Sequence, residues 1–76
     1  MKDLVEYLAK ALVENPDGVK VETEEDEKGT IVRLTVAPGD LGRVIGKQGR
    51  TARAIRTLLH AAAARTKQKA VLEIVE

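Results

Sequence analysis

Apolar side chains recur at helical spacing near the amino terminus, where Leu4, Val5, Leu8, Ala11 and Leu12 form one stripe. This spacing predicts an amphipathic helix over residues 3–14. Asp3 followed three residues later by Glu6 has the spacing of a capping box, and Asn15-Pro16-Asp17-Gly18 stops the helix. The period then changes to two. Val19, Val21 and Thr23 alternate with Lys20, Glu22 and Glu24, as in a half-buried strand, and the acidic stretch Glu24 to Glu27 with Lys28-Gly29 reads as a turn. Residues 30–36 are dominated by β-branched side chains, with Val32, Leu34 and Val36 on one face. These two strands are expected to pair as an antiparallel hairpin.

Ala37-Pro38-Gly39 breaks the second strand, and Asp40 reads as the N-cap of a short helix from Leu41 to Ile45. Gly46-Lys47-Gln48-Gly49 interrupts the helical pattern. From Arg50 to Arg65, Ala52, Ile55, Leu58, Leu59 and Ala62 give a longer helix with its apolar stripe on the sheet. A polar loop at Lys67 to Lys69 leads into a last strand, Ala70 to Val75. The order is α-β-β-α-α-β. More than thirty residues with two helices separate the second and third strands, which permits a right-handed crossover and a parallel pair. The expected fold class is α+β: one three-stranded mixed sheet with three helices on one face, in a single domain spanning residues 1–76.

Composition narrows the chemistry. The chain has 76 residues, no Cys, one His, one Tyr, no Trp and no Phe. A disulfide framework and a Cys/His zinc site are excluded, no cofactor or metal is expected, and the core must be aliphatic. The longest apolar run is Ala61 to Ala64, far short of the roughly 20 residues of a spanning helix, so the expectation is a soluble, cytoplasmic protein. Tyr7 is expected to pack with its hydroxyl exposed, and His60 to lie on the surface.

Charge is segregated. Residues 1–32 hold four Lys and nine acids, whereas residues 33–76 hold nine basic residues and three acids. Between Leu41 and Lys69 there are eight basic residues and no acid. This run points to one anion-binding region, against the plainer reading of a solvated basic helix face. Inside it, Gly46 and Gly49 free the backbone on either side of Lys47-Gln48 and leave no side chain to block a close approach. The amides opening the next helix carry the positive end of its dipole, which suits a phosphate. Lys47 and Arg50 add charge beside them, and Arg43 and Arg53 extend it.

Val44-Ile45-Gly46-Lys47-Gln48-Gly49, followed by Ile55, resembles the V-I-G-x-x-G signature of the KH (K-homology) RNA-binding domain. The helix-and-strand-first order resembles the type II form of that fold. Over essentially the whole chain, the sequence resembles the small single-KH bacterial proteins of the KhpA (YlqC) type. The resemblance implies single-stranded RNA held by the backbone of Gly46 to Gly49, since the G-x-x-G loop of these domains clamps about four nucleotides. Lys47 and Gln48 would touch phosphate and sugar. Ile45 and Ala52 would floor the groove for the bases, with the sheet edge near Ile31 to Thr35 as its other wall. Arg33 reads first as a surface residue, with a base or phosphate contact as the alternative, and Lys67 with Lys69 is placed at the groove's rim. The resemblance also implies a homodimer, and pairing with a larger KH partner of the KhpB (Jag/EloR) type.

Other functions fit less well. A nucleotide-triphosphate loop needs four residues between its glycines and then Lys-Ser/Thr, but Gly42 and Gly46 enclose three and Lys47 is followed by Gln48. No positioned nucleophile, base or metal set marks an enzyme. Two rivals to RNA binding stay open. One is a protein-interaction module that regulates cell elongation or division through its partner. The other is duplex DNA binding by the helix pair Leu41 to Leu59.

Overall fold

The computed structural model describes residues 1–75. Its elements are α1 (Lys2–Leu12), β1 (Lys20–Asp26), β2 (Gly29–Thr35), α2 (Leu41–Ile45), α3 (Arg50–Arg65) and β3 (Ala70–Ile74), with single 3-10 turns at Pro16–Gly18, Pro38–Asp40 and Lys47–Gly49. The expected order and fold class are found. β2 is central, antiparallel to β1 and parallel to β3. Its alternation sets the layering: Thr30, Val32 and Leu34 are buried beneath the helices, while Ile31, Arg33 and Thr35 turn to the open face.

The core is aliphatic throughout. Leu34, Leu59, Val5, Val32 and Val44 are its largest fully buried side chains. On α3 the buried positions are Ala52, Ile55, Leu59 and Ala63. Leu58 and Ala62, expected on that stripe, are displaced from it: Leu58 is 49% exposed and Ala62 is only half-buried. A helix turns by 3.6 residues, and the set 52, 55, 59, 63 keeps a straighter line along α3 than one that includes 58 and 62. Tyr7 does not pack either; it is 72% exposed on the outer side of α1.

Three local expectations are corrected. No side chain caps α1, which opens at Lys2 after Met1, so Asp3 and Glu6 do not form a capping box; Glu6 pairs with Lys10 instead, 2.8 Å away. The acids Glu24 to Asp26 belong to β1, and the turn narrows to Glu27-Lys28 because Asp26 pairs with Gly29. The Asp26 carboxylate accepts the amides of Lys28 and Gly29 at 2.7 and 3.1 Å, which holds the hairpin tight. Asp40 precedes α2, yet its side chain makes no capping bond there. It is buried and accepts the backbone amides of Glu14 and Asn15 at 3.1 and 3.0 Å. Among the described residues, no helix is long and apolar enough to cross a membrane.

Candidate nucleic-acid interface

Gly46 to Gly49 joins α2 to α3 through a backbone that ordinary residues resist. Gly46 has φ 77° and ψ 171°, Gln48 has φ 59° and ψ 24°, and Gly49 has φ 76° and ψ 11°. Two backbone bonds brace the turn, Gly46 N–H to the Gly42 carbonyl at 2.8 Å and Gly49 N–H to the Gly46 carbonyl at 3.1 Å. A non-glycine residue in the left-handed region costs about 1–2 kcal/mol, so Gln48 stores strain in the middle of the turn.

The two glycines differ in what surrounds them. A Cβ on Gly46 would lie 2.7 Å from Thr51 Cβ and 2.8 Å from Thr51 N, so this glycine is required by packing as well as by φ. A Cβ on Gly49 would meet nothing within 4 Å. The bare side of Gly49 is therefore open surface at the mouth of α3, where another molecule's backbone can come close. No side chain caps α3 at Gly49; the Arg50 N–H is held by the Lys47 carbonyl, and the amino end of α3 carries the positive end of its dipole toward the turn.

The cations divide into those that are free and those already engaged. Lys47, Arg50 and Arg53 are exposed and form no ion pair among the described residues. Arg43 is paired with Glu14 and lies 3.7 Å from Asp40. Arg33 lies on the open face of the sheet, away from the helices, bridging Glu24 at 2.8 Å and Glu73 at 3.5 Å. These carboxylates, Glu24 first, raise its pKa further above the ordinary arginine value. Lys67 follows the end of α3, whose 16 residues span about 24 Å at 1.5 Å per residue, so it stands at the far end from the turn. Ile45 is half-buried and Ala52 buried beneath the turn. The turn thus gathers Gly46, Lys47, Gln48, Gly49, Arg50, Arg53, Ile45 and Ala52. Arg33 and Lys67 are not brought to it, and Arg43 adjoins it with its charge already matched.

The wall expected at Ile31 to Thr35 is also corrected, because β2 is the centre of the sheet and has no free edge. The edge beside α3 is β3. Lys69 C=O and Val75 N–H point to β2, bonding Thr30 N–H and the Leu34 carbonyl at 2.9 Å each. By strand alternation, Ala70, Leu72 and Ile74 turn their N–H and C=O groups outward. A four-residue connection brings β3 back along α3, so the amino end of α3 stands over the carboxyl end of β3.

A mixed three-stranded sheet under three helices, with two of the helices joined by a glycine-bracketed turn, defines a KH domain of the second type. The sequence model of the family described as KhpA/KhpB, KH domain matches residues 2–74, and the chain belongs to that family. It is 52% identical over 75 residues to a protein named RNA-binding protein KhpA from Caldanaerobacter subterraneus subsp. tengcongensis, covering 99% of this chain and all of the other. It is 51% identical over 76 residues to a protein of the same name from Aquifex aeolicus, covering 100% and 96% of the two chains. A third of that name, from Chlamydia trachomatis serovar D, is 46% identical over 76 residues, covering 100% and 97%.

Proposed function

We propose that the protein binds single-stranded RNA without catalysis, the turn Gly46 to Gly49 clamping the sugar-phosphate backbone, and that it serves as an RNA chaperone or post-transcriptional regulator. The observation that carries this reading is the open, side-chain-free approach at Gly49 beside three exposed unpaired cations, Lys47, Arg50 and Arg53. The relatives' printed name supports the ligand class. Phosphate would meet the positive amino end of α3, and bases would lie over Ile45 and Ala52 toward the outward N–H and C=O groups of Leu72 and Ile74. The chain has no Phe or Trp for stacking, so grip rests on backbone, charge and aliphatic contact, and sequence preference should be loose.

The test is fluorescence anisotropy of labelled single-stranded RNA at two salt concentrations, with the wild type and with Lys47→Asp/Gln48→Asp. Asp is among the residues that best tolerate the left-handed region, so position 48 stays compatible with the turn. Loss of at least about tenfold in affinity, or 1.4 kcal/mol, with unchanged circular dichroism supports the clamp. Equal binding by both proteins would overturn it, and duplex DNA bound more tightly than single-stranded RNA would favour the helix-pair rival.

Exposed apolar side chains favour a second reading alongside the first. Leu58 on α3 and Tyr7 on α1 are 49% and 72% exposed, which fits docking of a second copy or of a KhpB-type KH protein. Sedimentation should then show a species above 8.3 kDa at high micromolar concentration, and a lone monomer would remove the homodimer.

A further inference from the structure

We infer that Asp40 is a positioning residue for RNA binding: its buried carboxylate, held to the chain just after α1, sets the direction in which α2 delivers the turn. The proposal rests on the RNA-binding reading above. Asp40 is 4% exposed, one of two buried polar residues among those described. Its two oxygens take separate tasks, Oδ1 accepting Glu14 N–H at 3.1 Å and Oδ2 accepting Asn15 N–H at 3.0 Å. These bonds cross 26 and 25 residues of sequence. Arg43, one turn into α2, adds a second strut by pairing with Glu14 and approaching Asp40 Oδ1 with its Nε at 3.7 Å.

The reason such a strut matters is the size of α2. It has five residues, far below the length at which a helix holds itself in water, and no side chain caps its first turn. Its orientation must come from outside. Val44 is buried in the core and Leu41 packs against it, but these aliphatic contacts are non-directional and do not by themselves fix the tilt of so short a helix. The carboxylate at one end and the Arg43 pair along its side fix it. Gly46 follows directly, its amide bonded to the Gly42 carbonyl of α2, so a tilt of α2 moves Gly46 against Thr51 and with it the turn. Arg43 accordingly acts within the strut, its charge matched by Glu14 and Asp40, rather than on phosphate.

Charge alone makes the opposite prediction, and this gives the test its edge. Removing a carboxylate near a polyanion site should strengthen RNA binding. A positioning role requires it to weaken. Labelled mixed-sequence single-stranded RNA is titrated with the wild type, Asp40→Ala and Asp40→Asn, and each protein's folded fraction is fixed independently by denaturant titration. The expected result is a loss of about tenfold for Asp40→Ala, equal to 1.4 kcal/mol, after correction for the folded fraction. Asp40→Asn, which keeps one acceptor oxygen, should recover part of it. Amide NMR on the free Asp40→Asn protein should show shifts at Gly46, Gln48 and Gly49 as well as at Glu14 and Asn15. If Asp40→Ala does not fold, Asp40→Asn carries both readouts.

Equal or tighter binding by the folded Asp40 variants, or shifts confined to Glu14 and Asn15, would overturn the positioning role and leave RNA binding standing. No binding by the wild type overturns the proposed function itself, and this inference with it.

Discussion

Gly46 and Gly49 look equivalent in the sequence and are not. Gly46 is pinned by φ and by Thr51 beneath it, so Gly46→Ala should cost about 2–4 kcal/mol, the strain of a positive φ plus a steric shift, and should show as a large fall in the denaturant midpoint. Gly49 needs only its φ. Asn is enriched at positive φ, so Gly49→Asn should cost less than about 1 kcal/mol and leave a folded protein. Its side chain then occupies the open approach, and RNA affinity should fall although stability hardly moves. The pair separates a clamp from a simple connection between helices. The glycine spacing was legible in the sequence; the difference between the glycines was not, because it depends on where Thr51 sits once α3 has formed.

Among the elements, the end of α3 contains a second strained residue. Gln68 N–H bonds the Ala63 carbonyl at 2.9 Å and Lys67 N–H the Ala64 carbonyl at 3.1 Å, with Lys67 at φ 58°. This is a Schellman ending with a lysine where glycine is usual. Lys67→Gly should therefore stabilise the domain by up to about 1 kcal/mol, read by thermal melting, while RNA affinity stays within about twofold because the residue stands at the far end of α3. On α1 the Glu6–Lys10 pair gives a pH effect of known sign. The lysine holds the Glu6 carboxyl below its ordinary 4.5, and the carboxylate holds Lys10 above its ordinary 10.5. The Glu6 contribution is present above the unfolded value and disappears as pH falls through the lower folded one. Any stability difference between wild type and Glu6→Gln should thus be seen near neutral pH and vanish in acid, and it should be small because both groups are exposed. Element order and type were legible because period-two and helical spacing survive in a sequence this short. The capping box failed because α1 already begins at Lys2, which puts Asp3 inside the first turn rather than at the N-cap. The role of Asp40 was hidden because its partners are backbone amides 25 and 26 residues away, and no local pattern encodes them.

For the whole molecule, the decisive matter is how many of the cations act together. The sequence groups Arg33, Arg43, Lys47, Arg50, Arg53 and Lys67 as one anion-binding set, and folding distributes them. Sheet parity sends Arg33 to the far face, where Glu24 and Glu73 hold it. The length of α3 carries Lys67 away, and Glu14 with Asp40 engages Arg43. Three free cations remain at the turn; the acid-rich turn of the β1–β2 hairpin lies against Lys69, near the carboxyl end of α3, and the acids along β1 disfavour RNA on the open sheet face. Each phosphate neutralised on a single strand contributes about −0.7 to the slope of log affinity against log salt. Lys47, Arg50 and Arg53 acting alone therefore give a slope of about −2, whereas the full set read from the sequence would give about −4. Titrations of single-stranded RNA over a range of monovalent salt decide between them. Removing Arg53 should flatten the slope by about 0.7, and Arg33→Gln should leave it unchanged. A slope near −4, or one that responds to Arg33, would mean that RNA reaches around the sheet edge and that the turn is only the centre of a wider contact.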